Sequence, residues 1–169
     1  LSTTYWGSFA NFTPGSADGW LSGAGGAGKM YMRASPATQH YKSRTFAAMS
    51  IGQTYLFGAI VHAVELSAIR LYMNDGLTNS TVLRGREFDI SAGTSSAYSG
   101  TPAGYGMVDL TGGWWYVWIY VTGAGTGTGI ALLRFPDATG DNTSGILVDH
   151  VQVEAGITTP SGIYYRRNG

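Results

Sequence analysis

Trp114-Trp115-Tyr116-Val117-Trp118-Ile119-Tyr120-Val121-Thr122 is the stretch that decides how this chain is to be read. It holds no Gly or Pro, and β-branched and aromatic residues fill it, the types that suit a pleated backbone. Alternate side chains of a strand point to opposite faces. Trp115, Val117, Ile119 and Val121 therefore share one face, and Trp114, Tyr116, Trp118 and Tyr120 share the other. Both faces are apolar, so the strand is expected to be covered twice. The four aromatics recur roughly 7 Å apart, and each buries on the order of 150–250 Å². Left bare, they would exceed the patch of a few hundred Å² that a soluble monomer tolerates. Three coverings stand open: the opposing sheet of a core, a neighbouring subunit, or a sugar whose C–H groups stack on the rings.

Outward from this strand, short apolar or alternating runs follow one another, separated by turn residues. The expected strands are Lys29–Ala34, Arg44–Ser50, Thr54–Val64, Ala68–Asn74, Thr81–Ile90, Gly106–Leu110, Trp114–Thr122, Gly129–Phe135 and Gly145–Glu154. In Ala68–Asn74, Ile69, Leu71 and Met73 are expected to point inward, with Arg70, Tyr72 and Asn74 on the other face. Asn74-Asp75-Gly76 and Thr111-Gly112-Gly113 offer the positive φ of tight turns. No window keeps helical periodicity. About nine strands with frequent turns predict an all-β, jelly-roll-like antiparallel β-sandwich. One domain is expected over residues 1–169, with 1–28 and 157–169 as arms or loops.

Composition agrees with a rigid β-protein. Of 169 residues, 26 are Gly, 13% are aromatic and only 12% are charged, about half the usual charged share. The formal net charge is zero, which gives no field for nucleic acid or an anionic membrane. The absence of Cys removes disulfides and thiolate metal sites. The longest apolar stretch, Tyr55 to Val64, is too short to span a bilayer, and no segment has a signal-peptide pattern. Leu1 at the first position leads to the expectation of a fragment of a longer protein.

Catalytic signals are weak. Glu87 and Asp89 share a strand parity that could suit a pair of hydrolytic carboxyls, but a solvated strand face is the favoured reading. No Gly-x-Ser-x-Gly elbow accompanies His40, His62 or His150. Gly123 to Gly129 lacks the Gly-Lys-Ser/Thr ending of a phosphate loop. Asp149 shares its parity with Leu147, Val151 and Val153, so it is expected to point inward. An inward carboxylate needs a partner, and a structural calcium is one such partner. Asp137, Asp141 and Asn142 make a similar acidic loop.

Several blocks resemble the carbohydrate-binding-module-like jelly-roll domains of bacteriophage tail fibre and tailspike proteins. Gly113-Trp114-Trp115-Tyr116-Val117 is similar to their Gly-Trp-Tyr-Arg-Val stretch, with Tyr116 in place of the Arg. Asp149-His150-Val151-Gln152-Val153-Glu154-Ala155-Gly156 resembles their closing strand, and Thr158-Thr159-Pro160 follows it as Ala-Thr-Pro often does. Upstream, Gly52-Gln53-Thr54-Tyr55 and Phe88-Asp89-Ile90 with Gly93-Thr94 resemble further blocks, in the family's order, over Tyr31 to Pro160. The resemblance implies a virion-associated, non-enzymatic domain exposed to the extracellular medium. It implies a homotrimer that binds host surface polysaccharide, or else a trimerisation domain with the aromatic face buried between protomers. The expected contacts are Trp114, Tyr116, Trp118 and Tyr120, with Tyr72, His150, Gln152 and Glu154 as polar neighbours. Neither nucleic-acid binding nor membrane insertion is expected.

Overall fold

The computed structural model describes strand backbone at 4–8, 13–14, 18–22 and 28–32, and backbone with side chains at 40–77, 83–136 and 140–158. The protein is all-β, with two antiparallel sheets packed face to face and no helix among the described residues. The strands are β1 (Thr4–Ser8), β2 (Thr13–Pro14), β3 (Asp18–Ser22), β4 (Gly28–Met32), β5 (Tyr41–Ala48), β6 (Thr54–Ala63) and β7 (Ala68–Asn74), followed by β8 (Leu83–Asp89), β9 (Thr94–Ser99), β10 (Gly104–Asp109), β11 (Trp114–Thr122), β12 (Thr128–Arg134) and β13 (Gly145–Ala155).

One sheet runs β10-β11-β6-β13-β4-β3, with β1 also paired to β13; the other runs β2-β5-β12-β7-β8-β9. The pairs β4–β13, β5–β12, β6–β11 and β7–β8 are nested antiparallel partners. This is the connectivity of a long hairpin rolled into two sheets, a jelly roll, with β9 and β10 added between β8 and β11.

The core follows from alternation. Phe57, Ala59 and Val61 on β6, Ile69, Leu71 and Met73 on β7, and Val117, Ile119 and Val121 on β11 are buried together between the sheets. Ala131 and Leu133 on β12 and Val148, Val151 and Val153 on β13 complete the layer. Removing on the order of 25 cal/mol per Å² of apolar surface from water makes this layer the main stabilising term.

A cation–π contact joins β8 of one sheet to β10 of the other. Arg86 shares the core-facing parity of Leu71. Its guanidinium lies 3.7 Å from the centroid of the Tyr105 ring on β10 and donates to Ser95. Stacking of the guanidinium on Tyr105 offsets part of its desolvation.

All nine expected strands exist, with ends displaced by up to three residues. Three features differ from the sequence reading. First, β9 was not expected: Thr-Ser-Ser-Ala-Tyr-Ser has no alternation, and pairing with β8 makes it a strand. Second, β1, β2 and β3 lie within 1–28, expected as arms or loops, and pair with β13, β5 and β4. Third, Asn74-Asp75-Gly76 is not a two-residue hairpin. Gly76 takes φ of 79°, but β8 begins only at Leu83. The Asn74 side chain instead pairs with β12, donating to the Thr128 carbonyl and accepting from the Ile130 N–H. The expected arm 157–169 lies beyond the described residues after Thr158.

Candidate functional site

The outer face of the larger sheet carries the aromatic ladder. Val117, Ile119 and Val121 face the opposing sheet, so Trp114, Tyr116, Trp118 and Tyr120 point away from it. Opposite them on β6 stand His62, Ile60, Gly58 and Leu56; on β10, Val108, Gly106 and Gly104 stand opposite Tyr116, Trp118 and Tyr120.

Those glycines set the geometry of the rings. A Cβ built on Gly58 would lie 2.1 Å from the Tyr116 hydroxyl oxygen and 2.6 Å from its Cζ. A Cβ on Gly106 would lie 2.6 Å from Trp118 Cζ2, and one on Gly104 would lie 2.1 Å from Tyr120 Cε1. Tyr116 therefore lies across β6, while Trp118 and Tyr120 lie across β10. The Trp118 and Tyr120 rings are 6.3 Å apart between centroids, with planes within 17° of parallel. They form a short platform bedded on backbone.

The ladder divides into two halves. Trp114 and Tyr116 are buried with Ile60, and Leu110, Leu147 and Trp118 pack around them. Tyr116 accepts a hydrogen bond of 2.9 Å from Gln152 Nε2, in a buried position on β13. Trp114 meets the His62 ring at 5.2 Å between centroids. Trp118 and Tyr120, by contrast, are only partly buried, and the exposed Val108 stands on the same outer face. The surface available to a ligand is thus Trp118, Tyr120 and Val108, with Tyr116 and Gln152 as its rigid support.

Of the remaining expected contacts, His150 and Glu154 share with Gln152 the parity of the ladder's face, opposite the core-facing Val151 and Val153, whereas Tyr72 lies elsewhere. Glu154 is buried on β13 beside Leu56. A β-bulge interrupts β13: Val148 pairs with Val61 and Val151 with Ala59, so Asp149 and His150 both stand against Ile60 alone. The parity argument for Asp149 breaks there, because Leu147 packs on the outer cluster while Val151 and Val153 line the core. Asp149 is buried, and its Oδ1 lies 3.0 Å from Nδ1 of the exposed His150. Among the described residues, no three His, Cys, Asp or Glu side chains converge as metal ligands. Asp137 lies outside the described residues. Asp141 accepts from the Ser144 hydroxyl and from the N–H groups of Ser144 and Thr143, which hold its carboxyl well below the usual range.

Tyr72 lies on the outer face of the smaller sheet, on the far side of the sandwich from the ladder. It pairs with Leu132 and Gly85, and a Cβ on Gly85 would lie 2.4 Å from its ring. It meets Tyr98 edge to face at 5.7 Å. Arg70 beside it makes a 2.6 Å contact with Glu87 and lies 3.5 Å over the Tyr98 ring. Burial and the neighbouring Tyr98 push the Tyr72 hydroxyl pKa up.

The carboxyl pair considered for hydrolysis is engaged elsewhere. Glu87 is held by Arg70. Asp89 closes a turn by accepting from the Ala92 and Ser91 N–H groups and the Ser91 hydroxyl, which lower its pKa. A general acid needs the opposite shift.

Sequence reasoning identified the ladder and missed its bed. Glycine inside a strand marks close approach of another group, and Gly58, Gly104 and Gly106 carried that signal. Among the described residues, no helix is long and apolar enough to cross a membrane. No family model and no curated protein matches the chain.

Proposed function

We propose that this protein is a non-catalytic carbohydrate-binding, host-recognition domain of a bacteriophage tail fibre or tailspike, carried on the virion and exposed to the medium. Its contact surface is the Trp118–Tyr120 platform. The observation that carries the reading is the pair of nearly parallel, partly exposed rings bedded on Gly106 and Gly104. Flat aromatic faces present a negative quadrupole, and the C–H groups of a pyranose carry the complementary partial charge. Because backbone lies directly beneath, the rings have little freedom to lose on binding, which lowers the ordering cost. Asp89 and Asp141 are engaged in turns and Glu87 by Arg70, which supports a reading in which these three carboxyls do not hydrolyse the sugar.

A second reading has its own observation. β10 is an edge of the larger sheet, and the exposed Val108 extends the aromatic strip toward it. Such a margin also suits a protomer interface, as in a trimerisation domain.

The test is binding to a glycan array and to host cells, comparing wild type with Trp118→Ala, the fold of both checked by circular dichroism. Loss of binding in the variant alone supports the platform. Equal binding by both proteins removes Trp118 from the sugar site.

A further inference from the structure

Beside the ends of β7 and β11 lies a cavity of about 260 Å³. Its lining includes Asp75, Arg84, Thr101, Ala103, Thr122 and Ala124. Asp75 is only 3% exposed, and each of its carboxylate oxygens has one protein partner. Oδ2 accepts from Arg84 Nη2 at 3.2 Å and Oδ1 from the Leu77 N–H at 3.4 Å, both long for charge-assisted bonds. An ionised carboxylate has about four acceptor positions, so acceptor capacity remains. The group is also held in place: the Asp75 carbonyl accepts from the Ala124 and Gly125 N–H groups at 2.7 and 3.2 Å.

The chemistry of the lining selects a ligand class. Arg84 beside Asp75 neutralises the pair, which opposes a metal cation and gives an anion no advantage. What the pair offers is acceptors on one side and donors on the other, with the Thr101 and Thr122 hydroxyls able to do either. Neighbouring hydroxyls on one ring match that arrangement. The volume lies below the roughly 300–1,000 Å³ of sites for drug-sized ligands, so it suits a single ring. The cavity also adjoins the platform. Ala103 lines it, donates its N–H to the Tyr120 carbonyl at 2.9 Å, and precedes Gly104 beneath the Tyr120 ring.

We propose that this cavity is a second subsite that takes one neutral pyranose ring of the glycan stacked on Tyr120 and Trp118, its hydroxyls bonded by Asp75 and Arg84. This deepens the proposed function and rests on it. The pair and the platform together would read a glycan through one stacked ring and one hydrogen-bonded ring.

The test is an NMR titration of the intact chain with glucose, galactose, mannose and N-acetylglucosamine at high millimolar concentration. Wild type, Arg84→Gln and Ala124→Leu are compared; the last fills the cavity from an exposed position and leaves the ion pair intact. The expected result is saturable shifts at Thr101, Ala103 and Thr122 with at least one sugar, weakened about tenfold or more in both variants. Shifts in wild type that persist in Ala124→Leu overturn the proposal, as do shifts produced by calcium and by none of the sugars. The arms also separate the subsite from the platform. If polysaccharide binding is lost in Trp118→Ala while the cavity signals stay still, the platform stands and the subsite falls. If the sugars move the cavity signals while Trp118→Ala binds polysaccharide normally, the cavity binds sugar apart from the platform, and the claim that the two read one glycan falls.

Discussion

Gly58 shows how a residue without a side chain shapes a binding surface. The space above its Cα is taken by the Tyr116 ring, whose hydroxyl reaches the Gln152 amide. A methyl group there has nowhere to go, because β6 is a central strand of its sheet and its backbone cannot retreat. Gly58→Ala should therefore destabilise the fold by about 1–3 kcal/mol through overpacking, with further loss if the buried Gln152 amide is left unbonded. Urea unfolding checks this, and an unchanged midpoint contradicts the stated packing. Much at this scale was legible beforehand. Period-two alternation sorted Trp114 to Val121 correctly into two faces. It did not say which face was interior, because both are apolar and the distinction depends on what β7 and β12 present across the sandwich. Nor did it show that Tyr116 and Gln152 bond, since the two lie on β11 and β13 with β6 between them.

Strands add effects that single residues do not show. The bulge on β13 puts Asp149 and His150 against one partner and reverses the parity beyond them, so counting by twos from Leu147 to Val151 fails. No residue type announced it. β9 was likewise invisible, because its small polar residues have no face to bury and become a strand only by pairing with β8. The β8–β9 turn gives a pH prediction. The Asp89 pKa in the folded protein is depressed by hydrogen bonds to its ionised form. Its stabilising contribution is therefore present above the ordinary carboxylate range and is lost as pH falls through the depressed folded value. Asp89→Asn should lower the urea midpoint at about pH 6, and the gap from wild type should shrink by about pH 2. A gap that stays constant with pH removes the charge from the explanation.

At the scale of the whole molecule, the nested pairing β4–β13, β5–β12, β6–β11 and β7–β8 makes the jelly roll. Strand count and turn spacing carried the class; the order of strands depended on contacts between residues far apart in sequence. The roll leaves Tyr72 and the Trp118–Tyr120 platform on opposite outer faces. No spacing rule could have separated them, because each has the outward parity of its own strand. The outward platform also bears on assembly. If the platform meets a glycan and not a second copy, Trp118→Glu should leave the solution mass of the protein unchanged by analytical ultracentrifugation. Dissociation of an oligomer by this substitution would assign the face to a protomer interface.

Isothermal titration with purified surface polysaccharide of the host, wild type against Trp118→Ala, tests the central claim most directly. Loss of a stacking ring should weaken binding about tenfold or more, in line with the 0.5–1.5 kcal/mol of ring contact together with the apolar area given up. An affinity that Trp118→Ala leaves unchanged would mean that the glycine-bedded rings are not where the sugar sits.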